Sequence, residues 1–238
     1  MRSLHGGYML FICIAFAIIV PYLICSINPA IIVTKIKSGE DIRKLGSGSA
    51  GLTNVLRTQG KTAAIFVLLG DVLKGVAAIL LIKLFCHLMM PYPKILQPEY
   101  TLENIETYTF FCAWLGSLSA VLGHCFPLYY KFKGGKAVLV TVATGMTIGW
   151  LPPLLALIVF ILIVAVTKYV SLGSIIAAVA YVVFTWLIGV FVWHNNHWYI
   201  GTIFTGIIAL ILIFMHRANI KRLINKNEKK LGQSERKK

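Results

Sequence analysis

The chain is a succession of apolar runs separated by short polar gaps. Several runs reach the roughly 20 residues that a helix needs to cross a hydrocarbon core. A backbone inside lipid must satisfy its hydrogen bonds internally, so such runs fold as helices. The sequence therefore predicts an all-α polytopic membrane protein built as one domain. The runs fall at about residues 8–32, 62–90, 108–130, 137–167, 173–193 and 199–215. The fourth holds 31 residues, too many for one ordinary span, and Pro152-Pro153 stand in its middle. Two shorter helices, 137–150 and 153–167, fit it and give about seven transmembrane helices. Five spans plus a re-entrant pair is the alternative. Pro21 and the Asn28-Pro29 pair are expected to kink the first run or loosen its far end.

Only 13% of residues are charged and 58% are hydrophobic, whereas a soluble domain is nearer one quarter charged and half apolar. The net charge of +15 raises the question of nucleic acid, but the charges are badly placed for it. Of the 23 Lys and Arg, 19 lie in residues 34–61, 131–136, 168–172 and 216–238. Those segments alternate with the others along the chain. The positive-inside rule then sets them in the cytoplasm, with the N-terminus outside and the C-terminus inside. Residues 91–107 read as an external loop and residues 194–198 as a neutral turn with interfacial aromatics. The first run is too long for a signal-peptide core and lacks an A-x-A site, so it is read as an uncleaved helix. The five cysteines form no CxxC pair and are expected to be free, buried thiols. No metal-ligand constellation is visible, and no cofactor or obligate protein partner is called for.

Three polar patches carry the chemistry, and all fall on the side predicted to be cytoplasmic. The first is residues 46–57. Gly46, Gly48 and Gly51 permit tight backbone curvature. Ser47, Ser49, Thr53 and Asn54 supply hydrogen bonds, and Arg57 can clamp a phosphate. The second is Gly123-His124-Cys125-Phe126-Pro127 followed by Lys131-Phe132-Lys133-Gly134-Gly135-Lys136. A Gly-Gly-Lys turn opening a helix offers free N–H groups, a positive dipole end and an ammonium to an anion. The third is His216-Arg217-Ala218-Asn219, where His216 and Asn219 share one helical face. Inside the second run, Asp71 and Lys74 are neighbours on a helix, either as a self-neutralising pair or as a pair that orients site groups. The strongly basic end, residues 224–238, is set apart as a cytoplasmic tail, of which residues 229–238 are expected to touch anionic headgroups, leaving residues 1–223 as the membrane domain.

The runs RKLGSGSAGLTNVLR, GHCFPLYYKFKGGKA, YVSLGS and HRANIKRL resemble, in order and spacing, the bacterial acyl-phosphate:glycerol-3-phosphate acyltransferases, the PlsY family. DVLKG in the second run does so too, and the resemblance covers about residues 27–223. It implies a cytoplasm-facing site in the bacterial inner membrane that moves a fatty acyl group from acyl phosphate to the sn-1 hydroxyl of glycerol 3-phosphate. Lysophosphatidate and phosphate are the products, in the first acylation of phospholipid synthesis. Carried over by position, Ser47, Thr53 and Arg57 match the first motif's ligand-binding residues. Lys136 and its glycines match the phosphate-holding second motif, His216 and Asn219 the polar pair, and Ser171 and Ser174 a short serine motif. The chain departs from the family's usual Asn at Ser49 and Gly at Ala137. A catalytically weak paralogue would explain those departures.

Acyl phosphate is a mixed anhydride with a good leaving group, so catalysis needs proximity and charge stabilisation rather than a covalent intermediate. Gly48, Ser49, Arg57, Gly134, Gly135, Lys136 and Asn219 are the expected phosphate binders. Ser47 and Thr53 would orient the acyl phosphate or its oxyanion, and His216 would act as base unless a substrate phosphate does. Asn54, Asp71, Lys74, His124, Ser171 and Ser174 would support them. The competing class is a transporter for a phosphorylated solute, whose site would sit near the midplane rather than on one face.

Overall fold

The computed structural model describes residues 2–89, 102–194 and 197–233, and the secondary structure among them is helical. The helices are α1 (Arg2–Ser26), α2 (Pro29–Ser38), α3 (Leu52–Gln59), α4 (Lys61–Met89), α5 (Leu102–Cys125), α6 (Val138–Ile148), α7 (Leu151–Thr167), α8 (Val170–Phe191), α9 (Trp198–Met215) and α10 (Arg217–Ile224). Five stretches are long and apolar enough to cross a membrane: Tyr8–Ser38, Lys61–Met89, Ile105–Tyr130, Val170–Phe191 and Trp198–Met215. Large apolar side chains such as Phe11, Leu73, Val166 and Leu210 stand bare on the outside. That surface suits lipid and not water.

Local chemistry sets the breaks. Helix α1 carries Pro21 inside it without ending. The break comes at Asn28, which the following proline biases toward its extended conformation and whose side chain caps α2 by accepting from Ile31 N at 3.2 Å. Helix α5 stops at Cys125, five residues short of the expected Tyr130, because Pro127 is close behind; a 3-10 turn, Leu128–Tyr130, follows. The break in the long apolar run falls at Gly149-Trp150, just before the expected prolines. Pro152 and Pro153 lie in the first turn of α7, where a missing N–H costs nothing. At 11 and 17 residues, α6 and α7 are roughly 16 and 26 Å long. Their turn packs against Trp193, just beyond the end of α8. The expected loop 91–107 lies for the greater part outside the described residues, as do Asn195, Asn196 and residues 234–238.

Helix α5 packs against α1, α4, α6 and α9. Small residues let its neighbours approach, as is usual between helices in lipid. A Cβ at Gly123 would strike the Tyr22 backbone, and one at Gly116 would strike Ile82. Polar ties cross the same contacts: Ser117 Oγ lies 2.7 Å from Thr144 Oγ1, and Tyr22 donates to the Phe126 carbonyl at 2.8 Å. On α4, Lys83 reaches the Thr147 carbonyl in the last turn of α6 at 2.5 Å, where a cation meets the helix dipole favourably. The five cysteines are free and buried.

Candidate active site

The loop at residues 46–51, α3, the first half of α4, the end of α5, the first half of α6, α7, the first half of α8, the end of α9 and α10 come together. There they enclose a cavity of about 830 Å³. Ser47, Ser49, Thr53, Asn54 and Arg57 line it from the first patch, His124 and Lys136 from the second, and His216 and Asn219 from the third. Asp71, Ser171 and Ser174 line it as well. Deeper walls are apolar, with Val138, Val142, Leu157, Phe160, Val164 and Ala178.

The first loop is shaped by one buried side chain. Asn54 donates from Nδ2 to the carbonyls of Ile42, Leu45 and Ser49 at 3.2, 2.9 and 3.0 Å, and its Oδ1 accepts from Ser47 N at 3.0 Å. Gly46 and Gly48 hold φ values of 54° and 72°, a region that glycine enters without strain. Gly51 then leads extended into α3, whose first residues, Leu52 and Thr53, line the cavity and whose first amides have no partner within the helix. Arg43 ties this loop to the second patch: it pairs with Asp41 at 2.6 Å and donates to the Tyr130 carbonyl at 2.8 Å.

Three expected phosphate contacts are corrected here. Gly134 N and Gly135 N are spent within the protein, donating to the carbonyls of Cys125 and His124 at 3.1 Å each. Neither residue lines the cavity. Their lack of a side chain is required for packing: a Cβ on Gly134 would strike the His124 carbonyl, and one on Gly135 the His124 ring and the Ala50 carbonyl. Gly48 likewise spends its N–H on the Leu45 carbonyl at 2.9 Å and does not line the cavity. Lys74 also stands off the cavity. Its ammonium lies 2.9 Å from Asp71 Oδ1 and 3.0 Å from His124 Nδ1, and donates to the Ile27 carbonyl at 2.8 Å. Asp71, Lys74 and His124 form one buried cluster that stiffens the wall behind the two loops.

The electrostatics distinguish the remaining groups. Burial, with the Arg222 and Arg57 charges, brings the Lys136 ammonium down to about 8, against the opposing pull of Glu228. Burial and the charge of Lys136 bring His216 down to about 4, so its imidazole is neutral near pH 7. A carbonyl only accepts, so the 2.8 Å contact of His216 Nδ1 with the Leu212 carbonyl puts the proton on Nδ1. Nε2 is left with a lone pair.

The tail was not legible as part of the site. Glu228, Lys229 and Leu231 line the cavity, so the expected division at Leu223 separates residues that pack together. Leu231 N donates to the Lys168 carbonyl at 2.7 Å, and Arg57 Nη2 to the Lys229 carbonyl at 3.1 Å. The available signal was Glu228 itself, the one acid between His216 and Gln233 in a run of bases.

A family model described as glycerol-3-phosphate acyltransferase matches residues 15–226. The chain belongs to the glycerol-3-phosphate acyltransferase family. Its relatives include proteins of that name from Thermoanaerobacter sp. (strain X514), 40% identical, and Clostridioides difficile (strain 630), 38% identical. Each match covers 90% of this chain and 94% of the relative. Among solved structures, the glycerol 3-phosphate form of PlsY, an integral membrane glycerol 3-phosphate acyltransferase, superposes with a TM-score of 0.74 at 28% identity, covering 92% of this chain and 96% of that one. The lysophosphatidic acid form of PlsY gives 0.69 at 26% identity, covering 94% and 95%.

One departure from the acyltransferase pattern has a visible consequence. Ala137 sits at φ 58°, ψ 14° before α6, where an L-residue is strained. Ala137→Gly is expected to gain roughly 0.5–1 kcal/mol, net of the entropy that glycine adds to the unfolded chain. Thermal unfolding in detergent checks this, and a lowered midpoint would contradict it. Ser49 lines the cavity and takes part in the Asn54 network through its carbonyl.

Proposed function

We propose that this protein transfers a fatty acyl group from acyl phosphate to the sn-1 hydroxyl of glycerol 3-phosphate, giving lysophosphatidate and inorganic phosphate. One observation carries this: a single cavity joins a cationic, hydroxyl-rich end to an apolar end. Such a cavity suits two phosphate-bearing groups beside one acyl chain. Lys136, Arg57 and the first amides of α3 hold the phosphates, with Ser49 assisting. Ser47 and Thr53 orient the acyl phosphate and stabilise the oxyanion. The hydroxyl oxygen attacks the carbonyl carbon as the bond to the phosphate oxygen breaks, and that electron pair leaves with the phosphate. The hydroxyl proton passes to His216 Nε2. Ser174 donates to the Val170 carbonyl at 2.9 Å and supports the turn that carries Ser171.

The membrane arrangement follows the same reading. The chain segments at the cavity end are those rich in Lys and Arg, which supports a cytoplasm-facing site in the bacterial inner membrane, the N-terminus outside and the C-terminus inside. The α6–α7 turn packs against Trp193, just beyond the end of α8, whereas the start of α8 carries Ser171 and Ser174 at the polar end of the cavity; this favours seven crossings over a re-entrant pair. The test is the choice of donor. Purified protein in liposomes is given labelled glycerol 3-phosphate with palmitoyl phosphate or palmitoyl-CoA. Lysophosphatidate from palmitoyl phosphate alone is expected; product from palmitoyl-CoA alone would overturn the assignment of the donor.

A further inference from the structure

Glu228 is the most heavily bonded side chain at the cavity rim that the mechanism above leaves unused. Its carboxylate is only 6% exposed. Oε1 accepts from Ser171 Oγ and from Asn219 Nδ2, each at 2.7 Å, and Oε2 accepts from Arg222 Nε at 2.7 Å. Burial would raise its pKa, but these three bonds hold it below the usual carboxylate range, so it is charged and acts only as an acceptor.

That fixes the Asn219 amide. The NH2 group must face the carboxylate, which leaves Oδ1 on the other side. Asn219 is 6% exposed and lines the cavity, and its Oδ1 is buried with no hydrogen-bond partner among the described residues. A buried acceptor without a partner calls for a donor. A deprotonated phosphate oxygen cannot supply one, whereas a hydroxyl can. Asn219 is thereby better suited to the acceptor alcohol than to the phosphate expected from the sequence.

We propose that Glu228 is a positioning residue whose carboxylate holds Asn219 so that its Oδ1 accepts from a hydroxyl of the acceptor substrate, one helical turn from His216. The proposal rests on the acyltransferase reading. It makes the segment that follows α10 part of acceptor recognition rather than a basic cytoplasmic tail.

The experiment compares wild type, E228Q, N219A and the double variant in liposomes with palmitoyl phosphate and glycerol 3-phosphate. Gln keeps the shape of Glu228 but lets an NH2 face the donors. E228Q is expected to lower kcat/KM for glycerol 3-phosphate about tenfold or more, with little change in KM for palmitoyl phosphate. Adding E228Q to N219A is expected to cost little further, since both act through one amide. The alkaline limb of the pH profile should also move to lower pH in E228Q. Lys136 is faced by Glu228, Arg222, Arg57 and His216, and Glu228 is its only negative neighbour among these. A thermal midpoint close to wild type shows that E228Q is folded. An active wild type with E228Q equal to it or faster, or with additive effects in the double variant, overturns this inference alone. A faster E228Q would mean that the carboxylate competes with substrate. A wild type that makes no lysophosphatidate overturns the proposed function and this inference with it.

Discussion

Lys136→Ala is expected to lower kcat/KM for lysophosphatidate formation by about 10²–10³, the scale for removing one preorganised charge from a reacting centre. Lys136 lines the cavity together with Arg57 and Arg222 and is brought down to about 8 by burial and those charges. Glu228 offsets part of the mutual repulsion of these three cations, and the remainder persists until substrate anions arrive. The energy stored in that repulsion is released on binding phosphate, so the loss is expected in both KM and kcat. The ammonium binds phosphate only when protonated, so it is competent below its pKa of about 8. Activity of the free enzyme should therefore fall about tenfold per pH unit above that value. A pH profile that stays flat to pH 10 would remove Lys136 from the chemistry.

His216→Ala is expected to lower kcat by about 10²–10³, within the range for a lost general base, with a smaller effect on KM. The Leu212 carbonyl fixes the imidazole with its proton on Nδ1 and its Nε2 lone pair available. In the free protein the ring is a weak base because it is buried beside the Lys136 charge. Substrate phosphates that neutralise Lys136 raise its basicity at the moment it is needed. The protonated ring cannot accept a proton, so kcat/KM, which reports the free protein, falls as the pH drops below about 4. Single-turnover rates decide the assignment. A loss of less than tenfold would mean that a substrate phosphate takes the proton instead.

Much of this arrangement was legible in the sequence because lipid is a strict solvent. Apolar run length gives the helices, and the placement of Lys and Arg gives one common face for the three patches. The long run at 137–167 announced its break through its two prolines, and the break lies one turn earlier because proline is tolerated at a helix start. Gly134 and Gly135 show where such inference stops. A glycine can free an N–H for a ligand or let two backbones touch, and only the Cys125 and His124 carbonyls that accept from these two decide which. Asn54 read as a supporting residue, but its four bonds make it the organiser of the first loop. Glu228 was hidden by its neighbours. It stands among lysines in what reads as a basic cytoplasmic tail, and its burial depends on a chain reversal that returns Leu231 to Lys168.

The central claim is that one cavity performs a direct transfer between two phosphate-bearing substrates. It is tested most directly by following lysophosphatidate and inorganic phosphate together in the same liposome sample, with palmitoyl phosphate and glycerol 3-phosphate supplied. Equal amounts of the two products are expected at every time point, with no phosphate release when glycerol 3-phosphate is omitted and loss of both products in Lys136→Ala. Phosphate released without lysophosphatidate, or lysophosphatidate formed undiminished by Lys136→Ala, would contradict it.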